Sequence, residues 1–174
     1  MSYGDEQTQD EHLTTRDEAV AICGVAWIDL VDYSKKPVRE QMRLNRALND
    51  LLIQALADRP AAERIVLDTG EGAAVVFPHG PEPCLELGCA LRAVLRSRGD
   101  DASALRIGMN LGPIRMVRGS NGDPAFMGDG LAAARCVAGF TQHGRIAASR
   151  SFYEAMTAVS AQYASCFAFE GTRT

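Results

Sequence analysis

The sequence predicts one α+β domain in which helices pack against an antiparallel sheet. Its 174 residues are enough for a single domain with a substantial buried core. Apolar runs typical of strands alternate with segments of helical spacing in the order β, α, β, β, α, β, with further elements behind them. That order is the split βαβ, or ferredoxin-like, arrangement, in which the helices lie on one face of the sheet.

Local patterns define the first four elements. The apolar run over 19–31 is rich in β-branched and aromatic residues and predicts a buried central strand that ends at Asp29. Pro37 suits the first turn of a helix, and apolar residues at near-helical spacing continue that helix to about Asp58. The segments RIVLD and AAVVF flank the turn TGEG and predict a β-hairpin over 64–77.

The second half of the chain is divided by glycine and proline. The segment 81–99 predicts a helix that ends at a glycine. The segment 104–117 predicts a pair of strands broken near Gly112 and Pro113, because these residue types mark turns. The remaining predictions are a loop over 118–126, a third helix from about Gly130, a strand over 144–149, a short helix over 150–159 and a last strand over 163–171.

Charge and composition exclude several classes of partner. The formal net charge is −4, and the basic residues are scattered along the sequence, so the basic stripe of a nucleic-acid-binding protein is not expected. Residues 1–18 are polar and acidic and are predicted to be a disordered lead or a linker, which leaves 19–174 as the folded domain. No apolar run approaches the roughly 20 residues of a membrane span, so we expect a cytoplasmic protein without a membrane segment.

The cysteines and histidines give no sign of a metal site. The five cysteines are odd in number, lack CxxC spacing and lie among apolar neighbours, which favours buried or inert free thiols in a reducing compartment. His79 and His143 adjoin glycines at expected turns and are interpreted as surface residues rather than ligands.

Acidic residues at the ends of strands are the first candidates for chemistry. Asp29 and Asp32 follow the first strand, and Glu71 lies in the hairpin turn. Because the first strand and the hairpin are neighbours in a split βαβ sheet, Asp29 and Glu71 are expected to face each other at one end of it. Paired carboxylates suit Mg²⁺, which prefers oxygen ligands. The alternative interpretation is that these are solvated turn acids.

Four motifs, in order and with their spacing, resemble one known family. The segments WIDLVDYSKKPVREQ, LDTGEGAAVVF, RIGMNLGPI and GDGLAAARCVAGFTQHGRIAASRSFYEAM are similar to the catalytic domain of class III adenylate and guanylate cyclases, from about Val20 to the last residue. The resemblance implies a nucleoside triphosphate substrate, Mg or Mn, and a cyclic nucleotide product. It also implies active sites at the interface of a head-to-tail dimer, each built from two different halves.

The half that holds metal in this family is mostly retained. Asp29 takes the place of the first metal-binding Asp, Leu30 the place of a backbone carbonyl ligand, and Glu71 the place of the second Asp with one extra methylene. Mg²⁺ tolerates little distortion of its ligand geometry, so this exchange is expected to lower turnover. Asp32 replaces a glycine beside the phosphates, and its negative charge opposes binding of a polyanion.

The other half has lost its polar groups. By the resemblance, Leu67 and Ala125 occupy the positions that read the base, Ala132 the position of the ribose-orienting Asn, and Cys136 that of the Arg that stabilises the transition state. Arg135 is one position away, about 100° around a helix, and is expected to point elsewhere. A homodimer is therefore expected to be nearly inactive as a cyclase.

Three hypotheses follow. The chain is a dimerising regulatory module that no longer catalyses, or the metal-binding half of a heterodimer with a cyclase-like chain, or a weakly active adenylate or guanylate cyclase with repositioned donors. An unrelated function on the same fold is a further alternative, because fold alone does not define function.

Overall fold

Within residues 20–98, 104–118 and 124–172, which the computed structural model describes, helices pack on an antiparallel sheet of six strands. The strands are β1 (Val20–Leu30), β2 (Ile65–Asp68), β3 (Gly72–Phe77), β4 (Leu105–Arg118), β5 (Pro124–Met127) and β6 (Ile146–Ala148). The helices are α1 (Val38–Ala55), α2 (Glu82–Arg98), α3 (Asp129–Phe140) and α4 (Arg150–Val159). The predicted disorder of residues 1–18 lies outside the described residues.

The order of strands across the sheet is β2-β3-β1-β4-β5, and β6 pairs with β4 in parallel. All other pairs are antiparallel, and β1 is central, as the sequence predicts. The expected α+β class with a split βαβ sheet is therefore confirmed. The expectation that the helices lie on one face is wrong, because α3 packs on the face opposite to α1, α2 and α4. In the described part of the chain, no helix combines the length and the apolar character needed to cross a membrane.

The two faces of the sheet bury different sets of residues, because side chains alternate along a strand. On β1, Ala26, Ile28 and Leu30 belong to the larger core cluster. That cluster also takes residues from three helices: Leu48, Leu51 and Leu52 of α1, Leu87, Leu91 and Leu95 of α2, and Phe152 and Met156 of α4. The opposite face of β1 contributes Cys23 and Val25 to a smaller cluster that includes Ala134 of α3.

Glycines in β4 allow α3 to lie directly on the sheet. A Cβ atom at Gly108 would meet the carbonyl oxygen of Ala134 and the nitrogen of Ala138, each at 2.3 Å. A Cβ atom at Gly112 would lie 2.9 Å from Cα of Gly130. These distances are shorter than van der Waals contacts, so only glycine permits this backbone approach.

A buried asparagine joins the starts of α3 and α4 to the same strand. Asn110 is 4% exposed, and its Nδ2 donates to the Gly130 carbonyl at 3.1 Å. Its Oδ1 accepts hydrogen bonds from Ser149 at 2.7 Å and Ser151 at 3.0 Å. Ser149 also caps α4 by accepting from the Phe152 N–H. Asn110 therefore holds both helix termini against β4.

The predicted break near Gly112 and Pro113 is wrong. Residues 105–118 form one strand, and its ladder with β1 runs from Leu30 opposite Leu105 to Val20 opposite Arg115. Gly112 allows α3 to approach the sheet closely and does not form a turn. On its outer edge, β4 pairs with β6 before Pro113 and with β5 after it. No strand pairs with that edge at Pro113 itself, so the missing N–H of the proline breaks no ladder there.

Two predictions for irregular and terminal segments are also wrong. The end of the predicted loop is strand β5, which pairs with Arg115–Arg118 of β4. The predicted last strand over 163–171 does not form. Instead, Ala161–Cys166 is a 3₁₀ turn, and the ring of Phe167 packs edge-on against Tyr153 at 5.4 Å between centroids. This apolar segment is held by side-chain contacts with α4 and not by pairing in the sheet.

The cysteines are predicted to be buried or inert free thiols, and all five are free. Cys23 and Cys84 are buried, and burial raises the pKa of the Cys84 thiol. Cys89, Cys136 and Cys166 are exposed. Cys89 and Cys136 lie on the outer sides of α2 and α3, and Cys166 lies in the 3₁₀ turn, so apolar neighbours in sequence do not imply burial.

The contact between α3 and β4 can be tested with two glycine substitutions. Gly108→Ala is expected to lower the free energy of unfolding by about 1–3 kcal/mol, because the new methyl group forces α3 from the sheet. Gly139→Ala is the matched control, since nothing lies within 4 Å of its Cβ position. It is expected to stabilise α3 by about 0.5–1 kcal/mol. Urea unfolding measures both, and a neutral Gly108→Ala would contradict the close packing.

Candidate functional site

The acidic candidates meet where β1 ends beside the β2–β3 turn. Asp29 lies opposite Gly72 in the β1–β3 ladder, and the Leu30 N–H donates to the Glu71 carbonyl at 3.0 Å. Asp29 therefore lies beside the turn that carries Glu71. The Leu30 side chain is 5% exposed and belongs to the core, whereas Glu71 is exposed in the turn.

The carboxylate of Asp29 is already occupied by an arginine. Arg106 lies directly opposite Asp29 in the β1–β4 ladder, and both its Nε and Nη2 approach Oδ2 of Asp29 at 2.6 Å. The side chains of Asp29 and Arg106 are 18% and 30% exposed, respectively, so the pair is shielded from water on most sides. Two short contacts with one oxygen make this a charge-assisted interaction.

Arg106 is the residue of the site that sequence analysis misses. It lies within the RIGMNLGPI motif, but a lone arginine in a strand carries no local signal of its partner. Its role follows only from the register between β1 and β4, which pairs residues 77 positions apart.

This arrangement does not fit a divalent cation as it stands. Arg106 neutralises Asp29, and the guanidinium is a like charge placed where a cation would approach. Glu71 adds one exposed carboxylate. The described residues contain no group of three or more His, Cys, Asp or Glu side chains placed to hold a metal ion.

Asp32 keeps the backbone conformation of a glycine. Its φ of 54° and ψ of 27° are left-handed, and among the described residues it is the one non-glycine with positive φ. Asp tolerates this conformation better than most residues. The Lys35 ammonium donates to Asp32 at 2.8 Å and lowers the pKa of that carboxyl, so the side chain is ionised at neutral pH. The turn therefore carries a negative charge that a glycine would not.

The row of residues next to Asp29 on the sheet is apolar. Leu67, Ala74, Trp27 and Gly108 form this row across β2, β3, β1 and β4. Leu67 and Trp27 are partly buried against the smaller core cluster. The row itself contains no charged group.

The other candidates lie on β5 and α3. Ala125 is in β5, at the opposite edge of the sheet from β2, so the chain does not bring these two positions together. Ala132 and Cys136 are exposed and one turn apart on the outer side of α3. Neither side chain offers a strong hydrogen-bond donor. His79 and His143 are exposed, as expected.

Arg135 turns back onto its own chain. Its guanidinium carbon lies 5.9 Å from the centroid of the Trp27 ring, within the range of a cation–π contact. Trp27 and Asp29 are two positions apart on the same face of β1, so Arg135 and Arg106 both lie over this face. The face therefore carries two guanidinium groups and one carboxylate that is already paired.

The fold is that of nucleotide cyclase catalytic domains. The chain is similar to a monomeric double mutant of the guanylyl cyclase domain of the RhoGC fusion protein from the aquatic fungus Blastocladiella emersonii, with 18% identity, a TM-score of 0.63, and coverage of 82% of this chain and 87% of that one. It is also similar to the adenylyl cyclase CyaB from P. aeruginosa, with 18% identity, a TM-score of 0.61, and coverage of 82% and 83%. The guanylate cyclase domain of RhGC from Catenaria anguillulae in complex with GTP gives 17% identity, a TM-score of 0.62, and coverage of 79% and 84%.

These similarities concern the fold. The chain matches no protein-family model, and it matches no curated protein by sequence. The architecture expected from the four motifs is thus confirmed, and the roles of the individual site residues are taken up below as proposals.

The Asp29–Arg106 pair can be measured with a double-mutant cycle. Asp29→Asn, Arg106→Gln and the double variant are expected to give a coupling energy of about 1 kcal/mol, because the pair is shielded and each charge loses its partner in the single variants. The control is the Arg145–Glu170 pair, whose side chains are 60% and 62% exposed. Its coupling is expected to be smaller, and equal couplings in the two cycles would contradict the assigned shielding.

Proposed function

We propose that this chain is a nucleotide-cyclase-like domain that does not catalyse and that acts as a dimerising regulatory module in cyclic-nucleotide signalling. The observation that carries the proposal is the outer side of α3, where Ala132 and Cys136 lie one turn apart and exposed. By resemblance to the cyclases, these positions would face the substrate held by a second chain. Here they offer a methyl group and a thiol.

The missing donors account for a large loss of rate. Removing one preorganised donor to a transition state typically costs about 10²–10³ in rate. Arg135 does not replace the lost arginine, because it packs over Trp27 of its own chain. Losses within one site are not additive, but the combined deficit is still large.

The acidic half of the site supports the same conclusion. Asp29 is satisfied by Arg106 at 2.6 Å, so a cation would have to displace a guanidinium before it could use this carboxylate. Asp32 adds a negative charge at the turn where a triphosphate would lie, and that charge is retained at neutral pH. Both features weaken binding of a metal–nucleotide complex.

Dimerisation is supported by the face of the sheet away from the larger core. Trp27, Ile65, Leu67 and Leu131 are only partly buried there, so they offer apolar surface to a second copy or to a related chain. In the proposed dimer, this surface transmits a signal through association rather than through a product.

A second candidate function follows from the acidic pair. The Leu30 N–H to Glu71 carbonyl hydrogen bond of 3.0 Å holds the turn that carries Glu71 against the end of β1 that carries Asp29, as a metal-binding half would require. In this alternative, a cyclase-like partner supplies the missing Asn and Arg, and Arg106 leaves Asp29 when the two chains join.

A cyclase assay distinguishes the two. The purified chain, incubated with ATP or GTP and with Mn²⁺ or Mg²⁺, is expected to form no cyclic nucleotide above background, because its α3 lacks both donors. Mass spectrometry of the products measures this. Asp29→Ala is the control, since it removes the carboxylate on which any genuine turnover would depend.

Product that disappears in Asp29→Ala would overturn the proposal and leave a weakly active cyclase. The same assay is repeated with a cyclase chain that retains Asn and Arg but lacks its own metal-binding acids. Activity that appears only in this mixture would establish the heterodimer alternative.

A further inference from the structure

The start of α1 concentrates positive charge in an acidic chain. Five of the chain's 18 Lys and Arg residues lie between positions 35 and 46, where Glu40 is the one acidic residue. We define the α1 basic face by these five: Lys35, Lys36, Arg39, Arg43 and Arg46. The expectation that basic residues are scattered therefore fails for this segment, although the whole chain has a formal net charge of −4.

Much of this charge is not neutralised locally. Lys35 pairs with Asp32 at 2.8 Å and Arg43 with Glu40 at 2.7 Å. Among the described residues, the other three cations of the α1 basic face form no ion pair. The four side chains of these two ion pairs are at least 38% exposed, so the α1 basic face can attract a further anionic group.

Apolar side chains lie along the same side of α1. Val38, Met42 and Ile53 are 70%, 53% and 69% exposed, and their spacing places them near one line on the helix. A groove of about 690 Å³ lies between Met42 and three arginines, and Glu40 and Asp50 also line it. The arginines outnumber the acids, so the surface suits an acidic segment.

We propose that residues 5–11 of the same chain dock on the α1 basic face. This segment has four acidic residues and no basic residue, a net charge of −4, which complements the net +4 of residues 35–46. Docking pairs its carboxylates with the cations of the α1 basic face, and rising ionic strength weakens the contact.

The chain is long enough for this contact. The short connection between Leu30 and Val38 places the start of α1 at the end of β1 farthest from Val20. The eleven residues of β1 span about 36 Å. Residues 5–11 precede Val20 by nine to fifteen positions, which corresponds to about 30–50 Å when extended. They therefore reach the α1 basic face from Val20.

The sequence provides its own reporter of this docking. Lys35 and Lys36 are the only lysines in the 174 residues. A carbodiimide joins a carboxylate directly to an amine, so apart from the α-amino group it marks contacts of these two side chains alone. The Lys35–Asp32 pair at 2.8 Å supplies a local cross-link that shows the reaction has worked.

We expect cross-links between Lys35 or Lys36 and a carboxylate among residues 5–11 of the full chain at low salt, identified by peptide mass spectrometry. The double variant Arg39→Gln/Arg46→Gln is expected to lower their yield about fivefold, because two attractive charges are removed. The control Arg92→Gln/Arg96→Gln changes the same charge on the exposed side of α2 and should leave the yield unchanged. About 0.5 M salt should lower the yield as the Arg39/Arg46 variant does.

Two outcomes would overturn the proposal. The first is that the carbodiimide joins only Lys35 to Asp32, or that both double variants lower the cross-linking yield equally. The second is cross-linking between chains, detected by mixing isotopically labelled and unlabelled protein, which would assign the α1 basic face to a second copy instead of to the chain's own N-terminal segment.

Discussion

The contact between the backbones of α3 and β4 is the constraint on which the arrangement of the site depends. Gly108 and Gly112 admit the helix to a distance that no side chain at either position would allow, and Gly130, Ala134 and Ala138 are the residues that face inward. This contact fixes the rotation of α3 about its axis. It thereby determines that Ala132 and Cys136 are exposed on the outer side of α3.

The register of β4 against β1 is the second determinant, and it acts in the same direction. It places Arg106 opposite Asp29, so the acid that would hold a cation is neutralised within the sheet. The charge of Asp32 and the turn of Arg135 toward Trp27 add to this effect. These features support the proposal that this chain, which shares the fold of nucleotide cyclases, acts through association rather than through phosphate chemistry.

Local periodicity was sufficient to predict β1, α1 and the β2–β3 hairpin, and the neighbourhood of Asp29 and Glu71 followed from their order. The continuity of β4, the strand at Pro124–Met127 and the packing of Phe167 could not be predicted in this way. Each depends on contacts between remote segments. The glycines in β4 make room for α3, and the last apolar segment packs against α4. Arg106 was missed for the same reason, since only strand register identifies its partner.

The most direct test of the central claim is a calorimetric titration of the chain with a non-hydrolysable triphosphate and Mn²⁺, followed in parallel by the fluorescence of Trp27, the single tryptophan. Trp27 lies two positions from Asp29 on the same face of β1, so it reports on ligands at that face. We expect no saturable heat and no change in emission up to millimolar ligand. Saturable binding that Asp29→Ala abolishes would contradict it.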